Sequence, residues 1–371
     1  MSYKDQDKYF KELFGRQEEY AGRVRDIYAD TIEELIMLAL HYKAHKAKSF
    51  KFSLNKQLSF LVTRLLRALY SKVYAQIQKG IQAEWDLANR AHDSIVQDIF
   101  GKKVIENDHM AKYFSHNQEA MKEFFRRKGP YGGLNLSQRV WKYTGQLREE
   151  LENALNLGIG QGVSAHQLAS KVKQYLRNPD TLFRRVKVVD EDGNESYKLS
   201  ETSKDYRPGQ GVYRSAFKNA MRLTRTETNM AYHAASHSRW QQMEFVVGFE
   251  VRLSNNHTCN GRPFRDICDD LAGTYPKGFK FVGWHPQCRC YAKAILCSDK
   301  EMEAFRDSVL DGGKPALTSI KQVTRMPGGY EKWMKDNRHR AKSARTIPYF
   351  IKDNYRYGNI DKGLKKRVAG I

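Results

Sequence analysis

Apolar residues recur every three or four positions over most of the first 128 residues, which is the period of an amphipathic helix. One such row runs from Ile32 to Leu40. A longer row has no proline in it and comprises Leu58, Leu61, Leu65, Leu69, Val73, Ile77, Ile81, Trp85 and Ala88. This spacing predicts one helix over about 56–99, roughly 65 Å long at 1.5 Å per residue. We expect a helical bundle here rather than a catalytic region.

The pattern changes after the glycine- and proline-rich segment 129–133, which predicts a domain boundary. Helical spacing resumes at 138–156 and again from about 213. Between them, the polar stretch 177–212 contains Asp192-Gly193 flanked by short alternating runs, which predicts an inserted β-hairpin.

Two later segments alternate as strands do: F-V-V-G-F-E-V-R-L-S at 245–254 and Y-A-K-A-I-L at 291–296. The whole pattern predicts an α+β protein with an elongated helical N-terminal part, a small α/β domain with a few strands around a Cys/His cluster, and a basic C-terminal tail. We expect the domains at 1–133, 134–298 (with the inserted hairpin) and 299–371.

The net charge indicates what kind of partner this protein has. The 371 residues carry 64 Lys and Arg against 42 Asp and Glu, a formal net charge of +22. Such an excess is typical of proteins that meet a polyanion, most often nucleic acid, although a solvated basic surface gives the same count. No apolar run is long enough for a transmembrane helix, and the charged N-terminus does not resemble a secretory signal. We therefore expect no membrane anchor and a cytoplasmic site of synthesis.

The tail concentrates this charge. Residues 321–371 contain 14 Lys and Arg and 4 Asp and Glu, a net of 14 − 4 = +10. Aromatic residues are interleaved with the cations: Tyr330, Trp333, Tyr349, Phe350, Tyr355 and Tyr357. This mixture suits contacts with phosphates and bases, and it equally suits docking on an acidic protein neighbour.

All five cysteines lie within 39 residues, and the remaining 332 residues have none. Clustered cysteines with a nearby histidine indicate a metal site more often than a disulfide framework. Zinc takes four nitrogen or sulfur ligands in a tetrahedron, and two short ligand groups separated by a loop supply them. The preferred ligands are Cys259, Cys268, His285 and Cys288, with Cys290 in reserve; Cys297 reads as a small buried residue.

A closed set of four ligands predicts a structural zinc, whereas three ligands and a bound water predict a catalytic one. In the catalytic case His257, Asp266, Asp269 and Asp270 are near enough in sequence to act as acid or base. We expect the structural site.

The same residues resemble the phage Mu F-like head-morphogenesis family. Its members show a helix with R-T-E-T, then a strand, then T-C-x-x-C and L-x-G, and finally H-P-x-C-R-C. This chain has Arg225-Thr226-Glu227-Thr228-Asn229, Thr258-Cys259, Cys268 to Gly273, and H-P-Q-C-R-C at 285–290. The resemblance covers about 137–297. Here C-x-x-C is lengthened to C-x8-C, so His257 or Asp266 stands as an alternative to Cys259.

The resemblance implies a minor head protein with a MuF domain, present in few copies in the virion of a tailed phage or prophage. Its implied partners are the portal protein, packaged double-stranded DNA, and capsid or scaffold proteins. It would lie inside the head or at the portal, and in the host cytoplasm during assembly. No nucleotide-binding motif or fused transferase domain is recognisable, so we expect no enzyme.

Two other hypotheses stay open at this stage. One is a metal-dependent nuclease or other enzyme of a mobile element acting on nucleic acid, with His257 and His285 at an open site. The other is a plain DNA-binding module. Arg225 and Glu227 point to different faces of one helix, so we expect each to hold that helix to a neighbouring element rather than to act in catalysis.

Overall fold

The described residues are mostly helical, and they also form two short hairpins and one three-stranded sheet. The computed structural model of the protein describes residues 6–42, 50–101, 108–129, 133–160, 167, 185–199, 212–213, 215–254, 258–259, 262–263, 265–344 and 347–355. A long helical N-terminal part precedes the small sheets, and a Cys/His cluster lies among them, which confirms the predicted α+β class.

The described α-helices are α1 (Gln6–His41), α2 (Lys56–Phe100), α3 (Asp108–Ala111), α4 (Gln118–Arg126), α5 (Leu136–Gly160), α6 (Ala216–Gln242), α7 (Ile267–Leu271), α8 (Asp299–Leu310), α9 (Gly328–Asp336), α10 (Arg338–Ser343) and α11 (Tyr349–Lys352). Short 3-10 turns occupy Phe52–Leu54 and Lys112–Phe114. In the part of the chain that is described, no helix is both long enough and apolar enough to cross a membrane.

Helix α2 confirms the predicted long helix, since it is unbroken over 45 residues. Asn55 precedes it, and its side-chain oxygen accepts a hydrogen bond from the Leu58 amide at 3.0 Å, as an N-cap residue does. Most of the predicted apolar row is buried, including Leu69, Ile77 and Trp85. The period of the apolar positions therefore fixed both the helix and its inner face.

The predicted hairpin is confirmed for residues 185–199. Strands β1 (Arg185–Val189) and β2 (Glu195–Leu199) pair antiparallel, and Gly193 adopts φ +83° in the turn between them. A left-handed φ favours glycine because it has no Cβ. The rest of the predicted insertion, 177–212, lies almost wholly outside the described residues.

The three-stranded sheet has the order β6–β3–β7. Strand β3 (Val246–Arg252) lies at the centre and pairs antiparallel with both β6 (Gly273–Tyr275) and β7 (Tyr291–Leu296). A smaller hairpin joins β4 (Thr258–Cys259) to β5 (Arg262–Pro263). Both predicted strands are confirmed, and the segment that connects β3 to β7 contains the cysteine cluster.

The chain forms two compact units. Unit 1 comprises Met1–Glu19, Gln78–Asn135 and Arg225–Ile371, and unit 2 comprises Tyr20–Ile77 and Leu136–Thr224. Units defined by spatial contact need not follow sequence order, and the three sequence-ordered domains (1–133, 134–298 and 299–371) stay a prediction.

Unit 2 is a set of packed helices. Its core includes Tyr28, Leu69, Leu151 and Phe217. Asn156 of α5 both accepts from the Phe50 amide at 2.6 Å and donates to the Phe50 carbonyl at 2.8 Å, and this pair of bonds holds the segment before α2 against α5.

Unit 1 has an aromatic core on the sheet. Phe249 of β3 stacks on Trp240 of α6 at 5.1 Å and on Tyr275 of β6 at 5.7 Å between ring centroids. Trp284 lies 5.6 Å from Tyr275 and precedes His285 directly. This core therefore supports the backbone on which the candidate ligands stand.

The C-terminal tail contributes to the same core. Tyr330 packs edge-on against Phe279 at 5.5 Å, and Phe350 packs edge-on against Trp284 at 5.4 Å. Asn354 accepts from the Lys280 amide at 2.6 Å and donates to its carbonyl at 2.8 Å. The tail aromatics that are described thus pack within unit 1, while Tyr357 lies outside the described residues.

Candidate metal centre

Three of the predicted ligands meet in unit 1. The Cys268 sulfur lies 3.1 Å from His285 Nε2 and 3.8 Å from the Cys288 sulfur. Both thiols are buried, whereas the His285 side chain is 34% exposed. Their ligand atoms all lie within 4.8 Å of one another, so this cluster can hold a metal ion. We call Cys268, His285 and Cys288 the metal-ligand cluster.

A capping box positions Cys268. The Asp266 side chain accepts from the Cys268 amide at 2.7 Å, and the Asp269 side chain accepts from the Asp266 amide at 2.8 Å. This reciprocal pair starts helix α7, with Cys268 in its first turn.

A tight turn brings His285 and Cys288 together. The Cys288 amide donates to the His285 carbonyl at 3.0 Å, so Pro286 and Gln287 are the central residues of the turn. Proline suits the first central position, while Gln287 has φ +63°, a left-handed value that is unusual for a residue with a side chain. The spacing H-x-x-C therefore places both ligands on the same side.

The glycine before this turn is required by its conformation. Gly283 has φ +100°, and a Cβ atom there would lie 3.2 Å from the Cβ of Cys288. A larger residue would be strained by its backbone and would press on a ligand.

The separations of the ligand atoms can be compared with those around a tetrahedral zinc, the predicted metal. With bonds of about 2.3 Å to sulfur and 2.0 Å to nitrogen, two sulfurs lie about 3.8 Å apart and a sulfur and a nitrogen about 3.5 Å apart. The Cys268–Cys288 separation of 3.8 Å matches this value, and the Cys268–His285 separation of 3.1 Å is shorter. His285 Nδ1 lies 2.8 Å from the Pro286 carbonyl oxygen. Because a carbonyl only accepts, Nδ1 carries the proton and the lone pair of Nε2 faces the thiols.

The thiols do not ionise alike. Burial opposes ionisation of Cys288, but hydrogen bonds with the Cys268 and Cys290 thiols outweigh it, so the pKa of Cys288 lies well below its ordinary value. The same contacts raise the pKa of Cys268. A cluster with one favoured thiolate is ready to bind a cation, since the thiolate is the metal-binding form.

Cys290 lies beside the cluster. Its thiol is buried and interacts electrostatically with Cys268 and Cys288. Cys297 is buried as predicted, and it follows strand β7. The side chain of Cys259 and the whole of His257 lie outside the described part of the chain.

The nearby acidic residues have other contacts. Asp266, the proposed substitute for Cys259, has Oδ2 at 3.3 Å from His285 Nε2 while its other oxygen caps α7. Asp269 completes the capping box, and Asp270 pairs with Arg265 at 2.9 Å. Hence only Asp266 stands next to a ligand.

The R-T-E-T-N segment of α6 packs directly on the H-P-Q-C turn. The Gln287 amide donates to Thr226 Oγ1 at 3.0 Å, and Arg225 donates to the Gln287 side chain at 3.3 Å. These bonds hold Gln287 in its left-handed conformation. Two motifs about 60 residues apart thus form one structure.

The charged residues of this segment are paired, as expected. Glu227 is fully buried and lies 2.7 Å from Arg127, which follows α4. Arg225 lies 2.7 Å from Glu18 of α1. Both side chains therefore join α6 to other elements of unit 1.

Glu18 is the main residue that sequence reasoning missed. It pairs with Arg225 and also with Arg289 of the H-P-Q-C-R-C motif. Partial burial raises its pKa, but the two arginines outweigh this and hold it below its usual range. Glu18 lies 207 residues from Arg225 in the sequence, so no local pattern could have linked them.

Comparison of the chain with protein families, curated proteins and solved structures finds no match in any of the three.

Proposed function

We propose that this protein is a minor head (head-morphogenesis) protein of a tailed phage or prophage, with a structural rather than an enzymatic role. One observation carries the proposal: the two motifs of the family resemblance are bonded to each other through Thr226, Arg225 and Gln287. Motifs that matched by chance would have no reason to form one packed unit.

The contacts of the motif residues support a structural rather than an enzymatic role for this protein. A catalytic group must reach a substrate, but Glu227 is fully buried in an ion pair, and Arg225 is committed to Glu18 and Gln287. The two thiols of the metal-ligand cluster are also buried. These contacts give Glu227, Arg225 and the two thiols a role in stabilising the fold.

We propose zinc as the metal, bound by Cys268, His285, Cys288 and Cys290. The first three present donor atoms at nearly tetrahedral separations. Cys290 is the fourth ligand because its buried thiol interacts with both others and because Asp266 already caps α7. Three thiolates and an imidazole are typical of structural zinc, which links segments that are far apart in sequence.

The proposed partners are the portal protein, packaged double-stranded DNA, and capsid or scaffold proteins. The net charge of +22 supports a place beside DNA, since Lys and Arg gain affinity for phosphates by releasing counterions. The proposed location is the virion, inside the head or at the portal, after assembly in the host cytoplasm.

The test is quantitative mass spectrometry of DNase-treated, DNA-filled particles from the producing host. We expect a few copies per particle, in constant ratio to the portal protein. Absence from intact particles, with abundant protein free in the lysate, would contradict the virion role.

A His285→Ala variant separates the structural proposal from a metal-dependent nuclease. We expect it to lose bound metal and folding together. A folded variant that has lost a nuclease activity present in the wild-type protein would instead support the enzyme.

A further inference from the structure

We propose that one face of unit 2 binds single-stranded DNA by stacking unpaired bases on exposed aromatic rings between free cations. The face, called here the α2–α5 face, is formed by the outer side of the first half of α2 and the start of α5. This inference does not rest on the proposed function, whose DNA partner is double-stranded; the surface is argued from its own residues.

The outer side of α2 presents one continuous row. Lys56, Phe60, Thr63, Arg67, Tyr70 and Tyr74 follow one another at intervals of four and three residues. Residues at that spacing share one side of a helix. The row carries two cations and three aromatic rings and lies on the flank of the buried face of α2. Lys56, Phe60 and Arg67 are exposed, and Tyr70 and Tyr74 are half-buried.

The rings on this face form a connected set. Tyr70 and Tyr74 stack with centroids 5.8 Å apart and planes 9° apart, and Trp141 of α5 packs edge-on against Tyr70 at 5.5 Å. The Tyr70 hydroxyl also bonds the Ser137 hydroxyl at 2.7 Å, so α2 and α5 are joined there. Trp141 is nevertheless 50% exposed and Phe60 69% exposed. Large rings left this exposed on a packed helical surface are typical of a binding site.

The cations of the face have no ion-pair partner among the described residues. Helix α2 has no Asp or Glu from 56 to 83, and α5 has none before Glu149. The exposed basic residues here are Lys56, Arg64, Arg67 and Lys142. Within the described part of the protein, none of these four forms an ion pair, whereas arginines of unit 1 such as Arg127 and Arg239 do. The face can therefore bind the anions of a partner.

The aromatic rings and the cations together indicate which class of ligand this face binds. Phosphates neutralise Lys and Arg, and any base presents a flat surface to an aromatic ring. In a duplex the bases are already stacked on one another, so rings on an outer helix face reach only the backbone. Unpaired bases can stack on Trp141 and the tyrosines, and single-stranded DNA is thus the occupant that uses both features.

The test measures fluorescence anisotropy of a labelled oligothymidine of about 20 nucleotides, and of a duplex of the same length, with the full-length protein. We expect tighter binding of the single strand. Trp141→Ala should weaken it about fivefold to a hundredfold, the range for losing one base–ring stack. Tyr197→Ala is the matched control, since Tyr197 is 64% exposed on β2 and lies outside the face.

The cations are tested by salt dependence. Arg64→Gln combined with Arg67→Gln removes two phosphate contacts, so the slope of log affinity against log salt should become shallower by about 1.4 for a single strand. The control replaces two exposed lysines of α9, Lys332→Gln with Lys335→Gln, and should leave the slope within experimental error.

Three results would overturn the inference: no binding of oligothymidine, equal losses in Trp141→Ala and Tyr197→Ala, or a duplex preference that Trp141→Ala leaves intact. All three results are measured on purified protein, so they do not depend on whether the protein is present in particles. Absence from particles would contradict the proposed function but not the binding result.

Discussion

The arginines around the metal-ligand cluster and those on the α2–α5 face differ in what neutralises them. Arg225 and Arg289 share Glu18, and Arg127 pairs with buried Glu227. Arg64 and Arg67 are exposed in a helix segment without a single acidic residue. One region uses its charge to stabilise the fold, and the other presents it to solvent. The cations that make up the net charge of +22 therefore have different roles in the two regions. Substitutions near the cluster should change stability, whereas substitutions on the face should change binding.

The largest effect is expected at the cluster itself. Cys288→Ser removes one proposed ligand, and a structural zinc contributes about 10–16 kcal/mol of apparent binding free energy, comparable to the whole stability of a domain. We expect the variant to lose its bound metal and to show no cooperative thermal unfolding transition. Metal content and calorimetry measure both.

Cys297→Ser is the matched control, since this cysteine is equally buried but lies outside the cluster. It should keep its metal and change the free energy of unfolding by about 1 kcal/mol. Equal losses in the two variants would show that burial alone matters.

A smaller effect is expected at the paired charges. Glu227→Ala leaves Arg127 without its buried partner and should cost roughly 3 kcal/mol in the free energy of unfolding. Glu250→Ala breaks an exposed pair with Arg252 and should cost less than about 1 kcal/mol. Urea titration of both variants tests this, and a similar cost for each would remove the distinction between buried and exposed pairs.

Acid should weaken unit 1 through His92. Burial, together with the charge of Arg239, lowers the pKa of His92 to about 3, below its ordinary value of 6.5. Because the unfolded chain takes up the proton first, stability is constant above pH 6.5 and falls as the pH drops toward 3. At pH 5 the loss is about 2 kcal/mol.

His92→Gln removes this titration, so the difference in unfolding free energy between pH 7 and pH 5 should shrink by about that amount. Urea titrations at the two pH values measure it. An unchanged difference would mean that His92 takes up its proton at the same pH in the folded and the unfolded protein.

The smallest effect is expected on the α2–α5 face. Arg67→Gln removes an exposed cation that has no ion pair, so the free energy of unfolding should change by no more than about 0.5 kcal/mol. Thermal unfolding measures this. A cost comparable to that of Glu227→Ala would show that Arg67 stabilises the fold.

Local patterns predicted much of this fold. The apolar row of α2, the turn at Asp192-Gly193 and the alternation at 291–296 depend on near neighbours in sequence, and the structure confirms each. The cluster was predicted because all five cysteines lie within 39 residues and close to His285. The turn at His285–Cys288 and the capped helix at Cys268 are what bring three of the ligands together.

Long-range contacts escaped the prediction. Glu18 contacts residues more than 200 positions away, and nothing in its own surroundings marks it. The composition of the tail suits either a nucleic-acid surface or docking on an acidic protein neighbour, but Tyr330 and Phe350 pack in the core of unit 1. The composition shows that the tail contains aromatic side chains, but it does not determine whether they are buried or exposed.

The spacing of the cysteines also left the fourth metal ligand open. Cys259 and Cys290 are both near in sequence, and the choice between them depends on how the connecting segment folds. The structure puts the Cys290 thiol beside the cluster, which is why it is the proposed ligand.

X-ray absorption spectroscopy of the full chain purified with zinc tests the central claim most directly, because it reports the atoms bound to the metal. We expect one zinc per chain with three sulfurs and one nitrogen and no oxygen ligand. A chain that binds no zinc would contradict the metal site altogether. A zinc with a water oxygen in an open position would contradict the structural site and favour the catalytic one.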